Sequence, residues 1–303
     1  MKHIFIVNPA AGDGKLEKLL LPQLITFLKG SGLDYEIHRT LNKPEVASYV
    51  RQRAEKGDEV RFYACGGDGT ICDVVNGMVG FENAQLAVYP CGTGNDFVRN
   101  FTNPKNFKDF QKLVSGDVID CDVIKYNDSY CINMLNIGAD CDIVVASSAP
   151  QYKKLGGLSY AGAALSVLTK GKTYEMEYEF EGEMHKEQLL LCAIANGNFC
   201  GGGFHSSPNA SLNDGMIDVT VVRPVPGKKL VPLLLKYRSG THLQDKDAEK
   251  YILHFRCESF SLYPKEPVHV SVDGEVFDFE DTHFEIVHNA VRLALPEGCE
   301  MIK

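Results

Sequence analysis

Hydrophobic and polar positions along this chain fall into two regimes. Up to about residue 120, short apolar runs near 3–8, 34–39, 60–65 and 86–90 alternate with segments whose apolar residues recur at helical spacing, near 15–29, 43–56, 71–80 and 105–115. Buried strands separated by amphipathic helices predict βαβ units on a mostly parallel sheet. From about residue 121 onward strand patterns dominate. Residues 174–181 alternate strictly, with Tyr174, Met176, Tyr178 and Phe180 on one face and Glu175, Glu177, Glu179 and Glu181 on the other. Gly182-Glu183 then turns the chain, and 188–195, 216–223, 251–255, 259–263, 268–273 and 283–287 read as further strands. Helical patterns interrupt them only near 157–170 and 228–239. This half predicts a sandwich of antiparallel strands.

Composition narrows the class without deciding it. At 303 residues the chain can bury a sizeable core and has room for two domains. It has no apolar run of membrane-spanning length, and Met1-Lys2-His3-Ile4 leads straight into a strand rather than a secretory signal, so a cytoplasmic protein is expected. Ten cysteines without one C-x-x-C spacing argue against a zinc site. Cys65, Cys192 and Cys257 sit inside apolar runs, as reduced core residues do. A formal net charge of −9 disfavours nucleic acid as a partner.

The chemistry concentrates where strands run out. Cys65-Gly66-Gly67-Asp68-Gly69-Thr70-Ile71-Cys72-Asp73 follows an apolar strand and leads into a helix near Ile71. Its glycines expose backbone N–H groups, and the helix adds its positive end, so a phosphate fits there without a cationic side chain. Asp68 fits only if a divalent cation lies between it and the phosphate oxygens. Two segments repeat the design. Asn8-Pro9-Ala10-Ala11-Gly12 follows the first strand, and Gly92-Thr93-Gly94-Asn95-Asp96 follows the strand at 86–90, with a helix from about Phe97. In an open α/β sheet such strand ends share one crevice. Competing motifs fail on spacing: Gly14-Lys15 is followed by Leu16, so there is no P-loop, and Cys72 stands where a dinucleotide fingerprint from Gly67 needs glycine.

These three signatures, in this order, resemble the diacylglycerol kinase catalytic family of lipid kinases. The resemblance continues through Asn196-Gly197, Gly201-Gly202-Gly203, Pro208-Asn209-Ala210 and Asp214-Gly215 to Val272-Asp273-Gly274-Glu275, and is closest to the compact bacterial branch. It implies a nucleotide-binding α/β domain over 1–122, joined by a C-terminal return at about 290–303, and a β-rich lipid-substrate domain over 123–289. It implies ATP and Mg²⁺. The nucleotide cradle would comprise Asn8, Pro9, Ala10, Ala11, Gly12, Thr40, Gly66, Gly67, Asp68, Gly69, Thr70, Ile71, Cys72, Asp73, Thr93, Gly94 and Asn95. Catalytic magnesium would involve Asp68, Asp96 and Asp122, with Asp120 the competitor for the last place. A structural cation would sit at Ser211, Asp214 and Met216, through the Asp214 carboxylate and the flanking carbonyls. The proton acceptor is Glu275 or Asp273; the resemblance favours Glu275, with Asp273 positioning it. Without the resemblance, Asp273-Gly274 is simply a hairpin turn.

The expected acceptor is a lipid alcohol at the membrane surface, met without a transmembrane segment. Tyr152 to Tyr160, leading into the apolar run Ala161–Leu168 with Lys170 and Lys172 beyond, mixes rings and cations as a peripheral membrane contact would. A homodimer stays open. The competing class is a soluble-metabolite kinase of the NAD kinase type, which shares a related glycine loop. A non-catalytic binding protein on the same scaffold is disfavoured because Asp68, Asp96 and Glu275 are all acidic.

Overall fold

The structure, a computed structural model, describes residues 1–9, 11, 16–40, 43–147 and 159–302. The chain separates into two compact units, Met1–Val123 with His288–Lys303, and Ile124–Val287.

The first unit alternates strand and helix: β1 (Lys2–Val7), α1 (Leu16–Ser31), β2 (Tyr35–Arg39), α2 (Lys43–Ala54), β3 (Val60–Gly66), α3 (Asp68–Met78), β4 (Ala84–Pro90) and the short α4 (Phe110–Ser115). β2, β1, β3 and β4 lie side by side in that order, all parallel. The final strand, β16 (Thr282–Ala294), brings its C-terminal part alongside β4, also parallel. Ile4, Phe5, Ile6, Phe62, Tyr63 and Leu86 are wholly buried, which is why these strands read as continuous apolar runs rather than alternations.

The second unit holds β6 (Ser129–Cys131), β7 (Met134–Gly138), α5 (Ala139–Ser147), α6 (Ser159–Thr169), β8 (Tyr174–Phe180), β9 (Glu183–Leu189), β10 (Leu191–Ala195), β11 (Ile217–Val222), α7 (Gly227–Ser239), β12 (Ile252–Cys257), β13 (Ser259–Pro264), β14 (Val268–Val272) and β15 (Glu275–Phe279). One sheet runs β12-β11-β10-β7-β14-β15, antiparallel throughout; in the other, β9, β8, β13 and the first part of β16 pair antiparallel. An apolar core joins α5, α6 and α7 to the six-stranded sheet through Met134, Ile143, Ala164, Leu191, Val222, Tyr237 and Ile252. The strands β5 (Val118–Tyr126) and β16 pass from one unit to the other. The α/β and antiparallel sandwich classes are therefore both present.

Several boundaries differ from the sequence reading, each for a local reason. The helix placed from Ile71 starts at Asp68, whose carboxylate complements the positive helix end after an extended Gly67. Residues 105–115 are not one helix. A 3-10 turn, Pro104–Lys108, ends before Asp109, which caps α4 by accepting from Gln111 N and Lys112 N at 3.0 and 3.3 Å. The helix placed at Phe97 is a single 3-10 turn, Phe97–Asn100. The run 188–195 breaks at Leu190 into strands of two different sheets. β7 and α5 escaped notice because Gly138, at φ +84°, turns strand into helix within one residue.

Candidate active site

The first unit draws its three glycine-rich segments into contact. Asn8 N donates to Cys65 O at 3.2 Å, and the Asn8 side-chain amide donates to Thr70 Oγ1, also at 3.2 Å. Cys91 N donates to Gly66 O at 2.7 Å. Gly67 and Gly92 meet backbone to backbone: a Cβ on Gly92 would lie 2.5 Å from Gly67 Cα. A Cβ on Gly66 would lie 2.2 Å from Thr70 Oγ1. Glycine here serves close approach rather than a special φ.

The 92–96 loop is held from within. Asn95, at φ +49°, accepts from Gly92 N at 2.7 Å and donates to Gly92 O at 2.8 Å. Arg99 pairs with the Asp96 carboxylate at 3.3 Å and donates to Gly94 O at 3.2 Å. Sequence reasoning missed Arg99, whose only signal was its i+3 spacing from Asp96. Two acids, Asp96 of the loop and Asp68 of α3, flank one glycine: a Cβ on Gly94 would lie 3.1 Å from Asp96 Oδ2 and 3.3 Å from Asp68 Oδ2. Asp68 Oδ1 accepts from Phe97 N at 3.0 Å. Burial pushes the Asp68 carboxyl above the usual carboxylate range, opposed by backbone N–H groups of residues 95–97. Thr93 is exposed at the loop tip.

The remaining first-unit candidates are placed as follows. Thr40 is buried and donates its N–H to Val7 O at 3.0 Å, beside the end of β1. Ile71 is buried on the inner face of α3, while Cys72 and Asp73 are half-buried. Pro9 and Ala11 lie half-buried in the turn after β1, closed by Ala11 N to Asn8 O at 3.1 Å; Ala10 and Gly12 fall outside the described residues. Asp122 is wholly buried and Asp120 exposed. Asp122 Oδ1 accepts from Asn289 N at 2.8 Å and pairs with His288 at 2.8 Å, both on β16. Among the described residues no three His, Cys, Asp or Glu side chains group closely enough to hold a metal, so Asp122 does not complete a preformed trio with Asp68 and Asp96.

In the second unit, Asp273 and Gly274 occupy the turn between β14 and β15 at φ +46° and +88°, and Val272 pairs with Glu275. The Asp273 carboxylate is buried and accepts from Ile132 N, Asn133 N and Met134 N at 3.3, 3.2 and 3.0 Å. Asn133 O in turn accepts from Asn196 N and Gly197 N at 2.9 and 2.8 Å, and Asn196 Nδ2 donates to Ile132 O at 2.7 Å. Asp273 thus fastens the hairpin to the 131–134 corner, while Glu275 stands half-exposed beside it. The second cation loop has a different partner. Asp214 pairs with the Arg256 guanidinium and accepts from Met216 N at 3.2 Å; Ser211 Oγ bonds Asn213. Arg256 supplies the positive charge expected from a cation, so these residues do not fit one as placed.

An apolar cavity of about 30 Å³ lies inside the second unit, walled by Ile143, Leu168, Leu191, Val222, Leu234 and Ile252. One buried carboxyl, Asp140, faces it; Tyr237 OH donates to Asp140 at 3.3 Å, and burial pushes its pKa up to about 6. Sequence reasoning passed over Asp140, because no motif marks it. No helix among the described residues is long and apolar enough to cross a membrane. The aromatic and basic run at 152–158 lies outside the described residues.

Comparison with known proteins covers nearly the whole chain. Residues 2–126 match the diacylglycerol kinase catalytic domain, and residues 134–295 match the YegS C-terminal NAD kinase beta sandwich-like domain. The chain is 28% identical over 281 residues to the probable lipid kinase YegS-like protein of Alcanivorax borkumensis, covering 90% of this chain and 91% of that one. It is 24% identical over 295 residues to the diacylglycerol kinase of Bacillus subtilis, covering 96% and 95%. Its fold is similar to the crystal structure of a diacylglycerol kinase from Bacillus anthracis str. Sterne, with a TM-score of 0.70 at 24% identity over 98% of this chain and 97% of that one. Both matched domains, in this order, place the chain in the family that joins a diacylglycerol kinase catalytic domain to a YegS-type β-sandwich, and thereby among the ATP-dependent phosphotransferases that act on an alcohol.

Proposed function

We propose that this protein transfers the γ-phosphoryl group of ATP to the hydroxyl of a diacylglycerol-like lipid, giving phosphatidic acid or a related phospholipid. The observation that carries the reading is the contact of three strand-end loops around Gly66–Thr70, with Asp68 and Asp96 flanking Gly94. Their backbone N–H groups and the N-terminus of α3 would cradle the phosphates. The acids fit a divalent cation: they flank one glycine, and a carboxyl whose ionised form burial disfavours gains from a positive neighbour. Asp68 and Asp96 would hold Mg²⁺, directly or through its waters. When bound, the ion neutralises charge on the phosphate oxygens. Asp122 would support this set from β5 through its bond to His288.

Of the two hairpin carboxylates, Glu275 is the proton acceptor in this reading. Three backbone donors already engage Asp273, whereas Glu275 is accessible from solvent. The acceptor oxygen attacks the γ-phosphorus, its proton passes to Glu275, and ADP leaves. A lipid acceptor is supported by the names of the relatives and by the apolar cavity at Asp140, which must widen to admit an acyl chain.

The test incubates protein, γ-labelled ATP and Mg²⁺ with diacylglycerol in mixed micelles, and with NAD in parallel. Label in phosphatidic acid, absent for Asp68→Ala, is the expected result. Label in NADP instead would move the chain to the metabolite kinases.

A further inference from the structure

Helix α7 carries an outward face that the fold itself does not use. Its inner side is anchored: Leu230 and Tyr237 are buried, Tyr237 bonds Asp140, and Gly240 at φ +75° closes the C-terminus. Leu233 and Leu234 line the cavity from the same side. On the other side, Val231 and Leu235 are 46% and 62% exposed, and Pro232 is exposed between them. Lys228, Val231, Pro232, Leu235 and Arg238 follow i, i+3, i+4, i+7, i+10 spacing, which puts them on one stripe.

The charge of this element opposes that of the chain. Lys228, Lys229, Lys236 and Arg238 stand on the helix without one acid, in a protein of net charge −9. The adjoining turn contributes Asp245, Asp247 and Glu249 together with Lys246 and Lys250. Lys236 is drawn into that turn, pairing with Asp245 at 2.7 Å, and Lys229 lies over the Tyr251 ring at 5.8 Å, while Arg238 lies over Phe204 at 5.6 Å. Lys228 and Arg238, the two cations bracketing Val231 and Leu235, are exposed. A short apolar stripe bracketed by cations suits a bilayer interface carrying anionic lipid, where leucine and valine enter the acyl boundary and lysine and arginine stay among headgroups. A second copy of the chain suits it less, because a twofold contact would set these cations against themselves.

We propose that the outer face of α7 docks the protein on anionic bilayers. The binding does not require the lipid-acceptor reading, but its use in catalysis rests on it. Docking this face would bring the helix that walls the apolar cavity into the interface itself, so that an acyl chain leaving the bilayer meets apolar protein at once.

Flotation with vesicles tests this. Intact protein should float with phosphatidylcholine vesicles containing about 30% phosphatidylglycerol, less so as salt rises, and stay behind with pure phosphatidylcholine. Val231→Glu with Leu235→Glu, and separately Lys228→Glu with Arg238→Glu, should each lower the bound fraction at least tenfold. Both variants should keep the melting midpoint and the turnover of a short-chain, monomerically dispersed diacylglycerol. Binding by either variant equal to that of the unaltered protein would overturn the proposal, as would an unaltered protein that ignores anionic vesicles. A fall in oligomer size on Val231→Glu with Leu235→Glu would likewise overturn it, by assigning the face to a second copy. Vesicle binding that follows these variants while no lipid is phosphorylated would support docking and reject only the lipid-acceptor reading.

Discussion

Two aspartate–glycine pairs at strand ends look alike in sequence and do opposite things. At Asp68-Gly69 the carboxylate accepts from Phe97 N, with the N–H groups of residues 95 and 96 also acting on it, and keeps Oδ2 beside Gly94 and Asp96. At Asp273-Gly274 the carboxylate gathers three backbone N–H groups and disappears into the corner at 131–134. One acid is held beside a second acid, at some electrostatic cost; the other is consumed as a fold element. In the proposed mechanism the proton therefore goes to its neighbour, Glu275. Function and architecture thus separate on hydrogen-bond partners rather than on motif.

Substitutions should divide along that line. The largest effect belongs to Asp68→Asn, expected to cut turnover by about 10³-fold or more through loss of phosphate-charge compensation. Its melting midpoint should hold or rise, since a carboxyl disfavoured by burial is replaced by a neutral amide. Asp273→Ala should show the converse. Orphaning three buried N–H groups costs about 2–4 kcal/mol of stability, visible in urea unfolding. Whatever activity is lost should track the unfolded fraction. If Asp68→Asn unfolded the protein and Asp273→Ala left stability intact, the contrast would be void.

Smaller effects sharpen it. Gly92→Ala forces a Cβ against Gly67 Cα, so the KM for ATP should rise about tenfold with about 1–3 kcal/mol of lost stability. Asp140 gives a pH signature. Its folded pKa, about 6, lies above the unfolded value of about 3.9, so the native state binds the extra proton between those limits. The stabilisation is complete below pH ~4 and lost as pH rises through ~6, about 2–3 kcal/mol in all. Asp140→Asn should flatten that slope in urea midpoints measured across the window; an unchanged slope would remove Asp140 as its source.

Much of the site was legible because its logic is local. Strand, glycines, acid and helix follow one another within 60–78, and within 86–96, so periodicity and turn chemistry suffice to find them. What stayed hidden depends on distant partners. Nothing near Asp214 in sequence announces its pairing with Arg256. Nothing near Asp273 announces the N–H groups of 132–134. The break at Leu190 was invisible because both flanking strands are apolar, so pattern alone could not see them enter different sheets. Asp140 was missed for the reason that makes it informative: a lone acid becomes noticeable only when the apolar walls around it are known.

The central claim is that Glu275, not Asp273, receives the proton in phosphoryl transfer to a lipid hydroxyl. The direct measurement is initial-rate transfer of label from γ-labelled ATP to diacylglycerol by the unaltered protein, Glu275→Gln and Asp273→Asn, each normalised to its folded fraction. The account predicts that Glu275→Gln folds normally and loses about 10²–10⁴-fold in kcat, while folded Asp273→Asn keeps most of its rate. A folded Asp273→Asn that is inert beside an active Glu275→Gln would contradict it.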